Sequence, residues 1–256
     1  MKVHRHEEIM KVLAETGTLS VEEAVARFGA SVATVRRDFG EMADANLVRR
    51  VRGGVQVLHN DQTMPIAIRE VRQRNAKLAI AREAVTMLAP GNVVFVDGGT
   101  TTLQMGNCLP AIPLRLITNS LRLAAAIESH SSSRAMHELF LTGGFLFPGT
   151  GLLVGPSAQA SIAQYHAQWT LLSVSGINLS GLYNDNEHVV ESERLMIAHA
   201  DRVIVLADHT KIGKHSMCHI AGLNEIDVIV TNRHPDTAEA LEAFENAGVE
   251  VLFAAE

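Results

Sequence analysis

Cysteine is nearly missing from this chain: Cys108 and Cys218 are the only two in 256 residues. Two cysteines build no disulfide framework, and neither has the close Cys/His spacing of a zinc site, so buried free thiols and no metal centre are expected. No run of about eighteen apolar residues occurs, which excludes a membrane-spanning helix, and Met1 to Glu8 lacks the apolar core of a signal peptide. A cytoplasmic protein with no membrane partner is therefore expected. Positive charge is not in excess either: 22 Lys and Arg stand against 28 Asp and Glu, a formal net charge of −6. That balance argues against a protein that coats nucleic acid indiscriminately. Internal repeats and low-complexity segments are also missing. What is present is an ordinary globular composition, 47% hydrophobic and 20% charged, long enough for one large domain or a large one plus a small one.

The average charge hides an asymmetry. Residues 1–58 carry nine basic and eight acidic groups, and six arginines fall between Arg27 and Arg52 against Asp38, Glu41 and Asp44. Residues 59–256 carry thirteen basic and twenty acidic groups. A positive surface confined to one small domain of an acidic protein suits an oriented approach to DNA.

The order of elements in that small domain supports this reading. His6, Ile9, Met10 and Leu13 follow a helical period up to about Glu15, and Gly17 stops the helix. Ser20 and Glu23 fit a capping box that opens a second helix with Val21, Ala24, Val25 and Phe28 on its buried face, ended by Gly29. Ser31 then caps a third helix, in which Val32, Val35, Phe39 and Met42 share an apolar face and Thr34, Arg36 and Arg37 are left for solvent or a partner. Two short helices joined by a tight glycine-containing turn are the helix-turn-helix unit, and the third is its recognition helix. Helix three is expected to end near Ala45-Asn46. Beyond it, 47–51 and 55–58 are β-rich and flank Arg52-Gly53-Gly54, which reads as a hairpin wing. There Arg49, Arg50 and Arg52, with Gly53 at the turn, are placed to meet the sugar-phosphate backbone or minor groove. For an isolated hairpin a solvated strand face would be the simpler account of these arginines.

From 59 to 75 the periodicity lapses, and this stretch is expected to connect the domains. From 76 onward a helix running to Leu88 is followed by apolar runs at 93–96, 114–117, 139–141, 171–174, 203–206, 228–230 and 249–253, most of them separated by helical segments. Short apolar strands alternating with helices imply a parallel sheet covered on both faces, an open doubly wound α/β domain. Trp169, just before one of these runs, is expected in the core.

In such a sheet ligands bind beyond the carboxyl ends of the strands. The residues there are small and polar: Asp97, Gly98, Gly99, Thr100, Thr101 and Thr102; Thr118, Asn119 and Ser120; Gly143 and Gly144; Gly176; and Lys211 after Asp208. Glycines admit a ligand to the backbone, hydroxyls and a helix start bind phosphate, and lysine supplies opposite charge. One such turn is usually only a turn, whereas five on one edge describe a ligand site. His209, His215, His219 and Cys218 match no common zinc spacing. Glu187, Glu191 and Glu193 read as a solvated helix start, since nothing in the sequence supplies them with a nucleophilic partner.

Three blocks together resemble the DeoR family of bacterial transcriptional repressors, and the similarity runs essentially from end to end. The first is Arg5, Ile9 and Leu13 followed by Ser31 to Asp38; the second is Arg50-Val51-Arg52-Gly53-Gly54-Val55. The third is Lys77, Asp97 to Thr101, Thr118 to Ser120, Gly143-Gly144, Gly155, and Asp208 with Lys211-Ile212-Gly213. The chain departs from the family pattern at Phe39, Asn46 and Arg52, and at the apolar Phe145-Leu146-Phe147-Pro148 after Gly144. The resemblance implies a winged helix-turn-helix domain (1–58), a linker (59–75) and an α/β sensor domain (76–256) related in fold to ribose-5-phosphate isomerase. It implies operator DNA and a phosphorylated sugar or related effector as partners. No cofactor and no catalytic residue are expected. A homodimer or homotetramer is expected, because one winged helix reads too few base pairs for operator specificity. The rival reading is a sugar-phosphate isomerase with an appended N-terminal domain, which requires a general base among residues such as Asp97 and Asp208.

Overall fold

The computed structural model describes residues 2–44, 47–57, 66–129 and 137–255. They fall into two compact units, Met1–Arg74 and Asn75–Glu256.

The first unit opens with α1 (Lys2–Thr16), β1 (Thr18–Ser20) and α2 (Val21–Phe28), followed by α3 (Val32–Asp44), β2 (Val48–Val51), β3 (Gly54–Val57) and α4 (Ile66–Val71). The capping box at the start of α2 is formed: the Glu23 amide donates to Ser20 Oγ at 3.1 Å and the Ser20 amide to Glu23 Oε2 at 2.9 Å. Gly29, at φ 61°, closes the helix with its amide on the Val25 carbonyl, a left-handed position that glycine adopts without strain. Ser31 caps α3 through the Thr34 amide at 3.2 Å. Ile9, Leu13, Ala24, Val35, Phe39, Met42, Val48 and Val55 form one core. Val32 does not join it and is 47% exposed; it sits in the first turn of α3, ahead of the stripe that Val35 begins. The expected end of α3 at Ala45-Asn46 lies outside the described residues.

β2 and β3 pair as an antiparallel hairpin, and β3 pairs on its other side with β1. The three-residue β1 was not legible in the sequence. Its close approach explains Gly54, where a Cβ would lie 2.2 Å from the Leu19 carbonyl oxygen. The expected connection at 59–75 needs correcting in part: 66–71 is helical, and Ile68 is buried in the core of this unit. Ile66, Ile68 and Val71, set among Pro65, Arg69 and Arg72, give too short a stretch for a period.

The second unit runs α5 (Arg74–Val85), β4 (Val93–Val96), β5 (Leu114–Thr118), α6 (Leu121–Ser129), β6 (His137–Leu141), β7 (Phe145–Phe147), β8 (Leu152–Val154) and α7 (Pro156–Ile162). It continues with β9 (Ala167–Ser173), β10 (Gly176–Asn178), β11 (Gly181–Asn184), α8 (Glu187–Ala198), β12 (Ala200–Leu206), β13 (Cys218–His219), β14 (Val228–Thr231), α9 (Ala238–Asn246) and β15 (Glu250–Phe253). The seven apolar runs form one sheet in the order β15-β14-β12-β9-β4-β5-β6, and every neighbouring pair is parallel.

Side chains alternate across each strand, so the sheet has two apolar faces. Phe95, Ile117, Leu172, Val205 and Ile229 pack with Val190, Met196 and Ile197 of α8 and Phe244 of α9. Val94, Val96, Leu116, Leu171 and Ile204 pack on the opposite side with Ile80 and Ala84 of α5 and Leu123 of α6. Trp169 is half-buried at the margin of this second layer, its ring covered by the Arg202 guanidinium at 4.6 Å. Cys108 and Cys218 are half-buried rather than buried.

The chain enters the sheet at β4, builds β5 and β6 to one side, and returns across β4 to start β9 on the other. The succession of strands therefore reverses between β4 and β9, where an open α/β sheet leaves a crevice at its carboxyl edge.

Candidate functional site

In the first unit the α3 surface presents Arg36 and Arg37 exposed, while Thr34 is half-buried with its hydroxyl 2.9 Å from that of Ser31. Arg52 and Gly53 are exposed at the hairpin tip, Gly53 at φ 82°. The other two wing arginines are partly engaged within the domain. Arg49 Nη2 donates to Gln56 Oε1 at 2.6 Å, and the Arg50 guanidinium lies over α3, where a Cβ on Gly40 would stand 2.6 Å from its Nη2.

Behind this surface Asp38 is only 1% exposed. Arg5 Nε donates to Asp38 Oδ2 at 2.5 Å and Nη2 to Oδ1 at 3.2 Å, and His6 Nε2 lies 3.1 Å from Oδ1. Burial would raise the Asp38 carboxyl, but the bonds from Arg5 and His6 outweigh it and hold it below the usual carboxylate range. Potential metal-ligand atoms of His6, Asp38 and Glu41 lie within 4.8 Å of one another. The Arg5 fork already engages both oxygens of Asp38, so an ion pair accounts for the arrangement.

In the second unit the carboxyl ends of β4, β5 and β9 converge. Asp97 follows β4 and is buried; the Ser173 hydroxyl at the end of β9 donates to its Oδ2 at 3.3 Å. A Cβ on Gly99 would sit 1.4 Å from Ser173 Oγ, and one on Gly98 would sit 2.0 Å from Leu152 Cδ2 and 2.9 Å from Ser120 Cβ. Only glycine permits this closeness. Lys77, buried on α5, donates from Nζ to Thr100 Oγ1 at 3.0 Å. Asn119 follows β5 in register beside Asp97 and is fully buried; its backbone carbonyl accepts from the Leu153 amide.

A residue read as solvated joins this cluster. Glu193 is completely buried on α8, and Asn184 Nδ2 donates to its Oε1 at 2.6 Å. Burial raises its carboxyl well above the ordinary value, and the neighbouring Asp97 raises it further. Burial likewise pushes Asp97 up to about 6, against hydrogen bonds from the Gly98 backbone and from Ser173. The signal for Glu193 was present in the sequence: it lies three and four residues from Val190, Val189, Met196 and Ile197, inside the apolar stripe of its helix. Glu187 and Glu191 are exposed, whereas Glu193 turns inward.

Four buried polar atoms of this cluster have no hydrogen-bond partner among the described residues: Asp97 Oδ1, Asn119 Oδ1 and Nδ2, and Glu193 Oε2. An unpaired buried polar group costs about 1–3 kcal/mol, so this grouping of four makes the cluster the candidate site of the unit.

The hydroxyls of Thr102, Thr118 and Ser120 are engaged within the fold. The segment expected to offer a helix start is a six-residue 3-10 turn, Thr102–Asn107, and the Thr102 hydroxyl donates to the Gly99 carbonyl. Thr101 is buried without a capping bond. Thr118 Oγ1 accepts from the Ser120 amide, and Ser120 Oγ caps α6 through the Leu123 amide. Gly143 and Gly144 are exposed at positive φ in the turn to β7, and Gly176 packs against the Lys214 backbone. Lys211 is half-buried at the end of a 3-10 turn capped by Asp208, which accepts from the Thr210 amide at 3.0 Å.

A winged-helix unit with exposed arginines on its third helix, followed in one chain by a parallel α/β unit with a buried cluster of unpartnered polar atoms at its carboxyl edge, defines a ligand-sensing DNA-binding regulator. Two family descriptions match it in turn: a DeoR-like helix-turn-helix domain over residues 5–61 and a DeoR C terminal sensor domain over residues 72–233. The chain belongs to the DeoR family of transcriptional regulators. It is 34% identical to the HTH-type transcriptional regulator GlpR of Haloferax volcanii over 98% of each chain. It is 29% identical to the Glycerol-3-phosphate regulon repressor of Escherichia coli over 91% of this chain and 92% of that one. Among solved structures, ribose 5-phosphate isomerase a from Methanocaldococcus jannaschii overlaps 54% of each chain at 15% identity and a TM-score of 0.37. No described helix is long and apolar enough to cross a membrane.

Proposed function

We propose that this protein represses a catabolic operon for a sugar or sugar derivative and is released from its operator by a phosphorylated sugar or related metabolite. The observation that carries the proposal is the joining in one chain of exposed Arg36 and Arg37 on α3 to a buried cluster with four unpartnered polar atoms. The name of the Escherichia coli relative, a repressor of a glycerol-3-phosphate regulon, points the same way. In this reading Ser31, Thr34, Arg36 and Arg37 face the major groove, and Arg49, Arg50, Arg52 and Gly53 meet the backbone or minor groove. Asp97 to Thr102, Thr118 to Ser120, Gly143, Gly144, Gly176 and Lys211 surround the effector. Lys211 neutralises phosphate, and Asp97 and Asn119 take hydroxyls. The repressor works in the cytoplasm as a homodimer or homotetramer on a palindromic operator; a tightly binding monomer in sedimentation at micromolar concentration would contradict this.

The paired carboxyls of Asp97 and Glu193 favour a second reading, an isomerase-type enzyme, because they supply the partner that a general base requires. One preparation tests both. Mobility shift of the protein's own upstream DNA, released by a sugar phosphate and accompanied by no aldose-ketose interconversion, supports the repressor. Isomerisation without a DNA shift overturns it.

A further inference from the structure

We infer that Glu193 is a ligand-contacting residue that makes this site select an effector whose carbon chain carries adjacent hydroxyls and no second anionic group. This rests on the effector-site reading proposed above and narrows its ligand. Phe95 and Ile117 belong to the sheet face covered by α8, and alternation puts Asp97 and Asn119, two residues further along each strand, toward that same layer. Glu193 descends into it from α8. Its Oε1 is held by Asn184, which leaves Oε2 unpartnered; Asp97, whose charge acts on Glu193, and Asn119, in the same layer, also carry unpartnered buried atoms.

The chemistry of the free atoms states what would satisfy them. Asp97 Oδ1 and Asn119 Oδ1 accept, and Asn119 Nδ2 donates. Burial first, and then the neighbouring Asp97, raise the Glu193 carboxyl and favour its protonated form, whose hydroxyl donates. Neighbouring hydroxyls, each both donor and acceptor, meet this mixture. A carboxylate or a second phosphate would bring another anion against Asp97 and would leave the acceptors unfilled. Arg194 lowers Glu193 only as a lesser influence, and Asp185 opposes it.

Calorimetric binding to the full-length protein at pH 7 tests the inference. The panel sets glycerol 3-phosphate, ribose 5-phosphate and fructose 6-phosphate against 6-phosphogluconate and fructose 1,6-bisphosphate. The parent is expected to bind at least one of the first group, and more tightly than either of the second. Glu193→Ala should weaken that binding about tenfold or more, the size of one unsatisfied buried contact. Glu193→Gln should stay within about threefold of the parent, because its amide oxygen still accepts from Asn184 while its NH2 replaces the carboxylic donor. A folded Glu193→Ala protein that binds as the parent does overturns this inference and leaves the sensor reading intact, whereas a parent that binds no phosphorylated compound overturns both. A parent that prefers 6-phosphogluconate or the bisphosphate overturns the ligand class. Should Glu193→Ala fail to fold by thermal melting, the parent's preference between the two groups decides.

Discussion

At the scale of single residues, charge has opposite uses in the two units. Asp38 is buried but ionised, because the Arg5 fork and His6 reach it; it ties α1 to the helix that carries Arg36 and Arg37. Removing one member of a buried ion pair leaves the other uncompensated, at a cost of about 3–5 kcal/mol. Arg5 is 21% exposed along its side chain, so Asp38→Asn should fall near the lower end, read as loss of stability of the N-terminal unit in denaturant unfolding. The sign with pH follows from the lowered carboxyl: this contribution is present above the unfolded carboxylate value and is lost as pH falls through the folded one. On the outer face of the same helix, Arg36→Ala and Arg37→Ala should leave stability unchanged and weaken operator binding. A lost base contact costs about 1–3 kcal/mol for the cognate site alone, whereas a lost phosphate contact weakens all sequences and flattens the salt dependence. Unaltered binding by both variants would remove α3 from the interface.

At the scale of elements, the seven sheet strands were legible because each carries a short, mainly apolar run, broken only by Arg115, Ser173 and Glu250, as burial on both faces of a parallel sheet favours. The capping box and Gly29 marked the ends of α2 because those ends depend on local bonds alone. β1, β7, β8, β10 and β13 have two or three residues each, too few for a period, and partners distant in sequence define them. The carboxyl-edge loops were legible as small polar turns, but not which of their side chains stay available: the hydroxyls of Thr102, Thr118 and Ser120 close their own turns. Glu193 had the converse fate, since its burial depends on α8 lying over the sheet. That burial has a measurable consequence. With its folded value raised, Glu193 contributes stability that is full below the unfolded carboxylate value and declines as pH rises toward the folded value; Asp97 adds a decline between its usual value of 3.8 and about 6. Asp185 and Arg194 also act on Glu193, and both remain in the variant. The melting temperature of the sensor unit should therefore fall from pH 5 to pH 8 more steeply in the parent than in Glu193→Gln. Parallel profiles would mean that Glu193 titrates as an exposed carboxylate does.

At the scale of the whole molecule, two compact units share one chain, and a regulator must couple them. An effector alters DNA affinity only through a difference in its own affinity for the DNA-competent and released states. A variant impaired in the sensor should thus hold its operator normally and respond poorly to the ligand. Lys211 is suited to this test, because it lies half-buried at a turn organised by Asp208 rather than in an apolar core. The most direct measurement is fluorescence anisotropy of labelled upstream DNA, titrated with the sugar phosphate that releases the parent, for parent and Lys211→Ala proteins of equal melting temperature. Equal operator affinity with release of the variant shifted to higher effector concentration is the result predicted. DNA bound by the parent at every effector concentration, with no release by any phosphorylated sugar, would contradict the account.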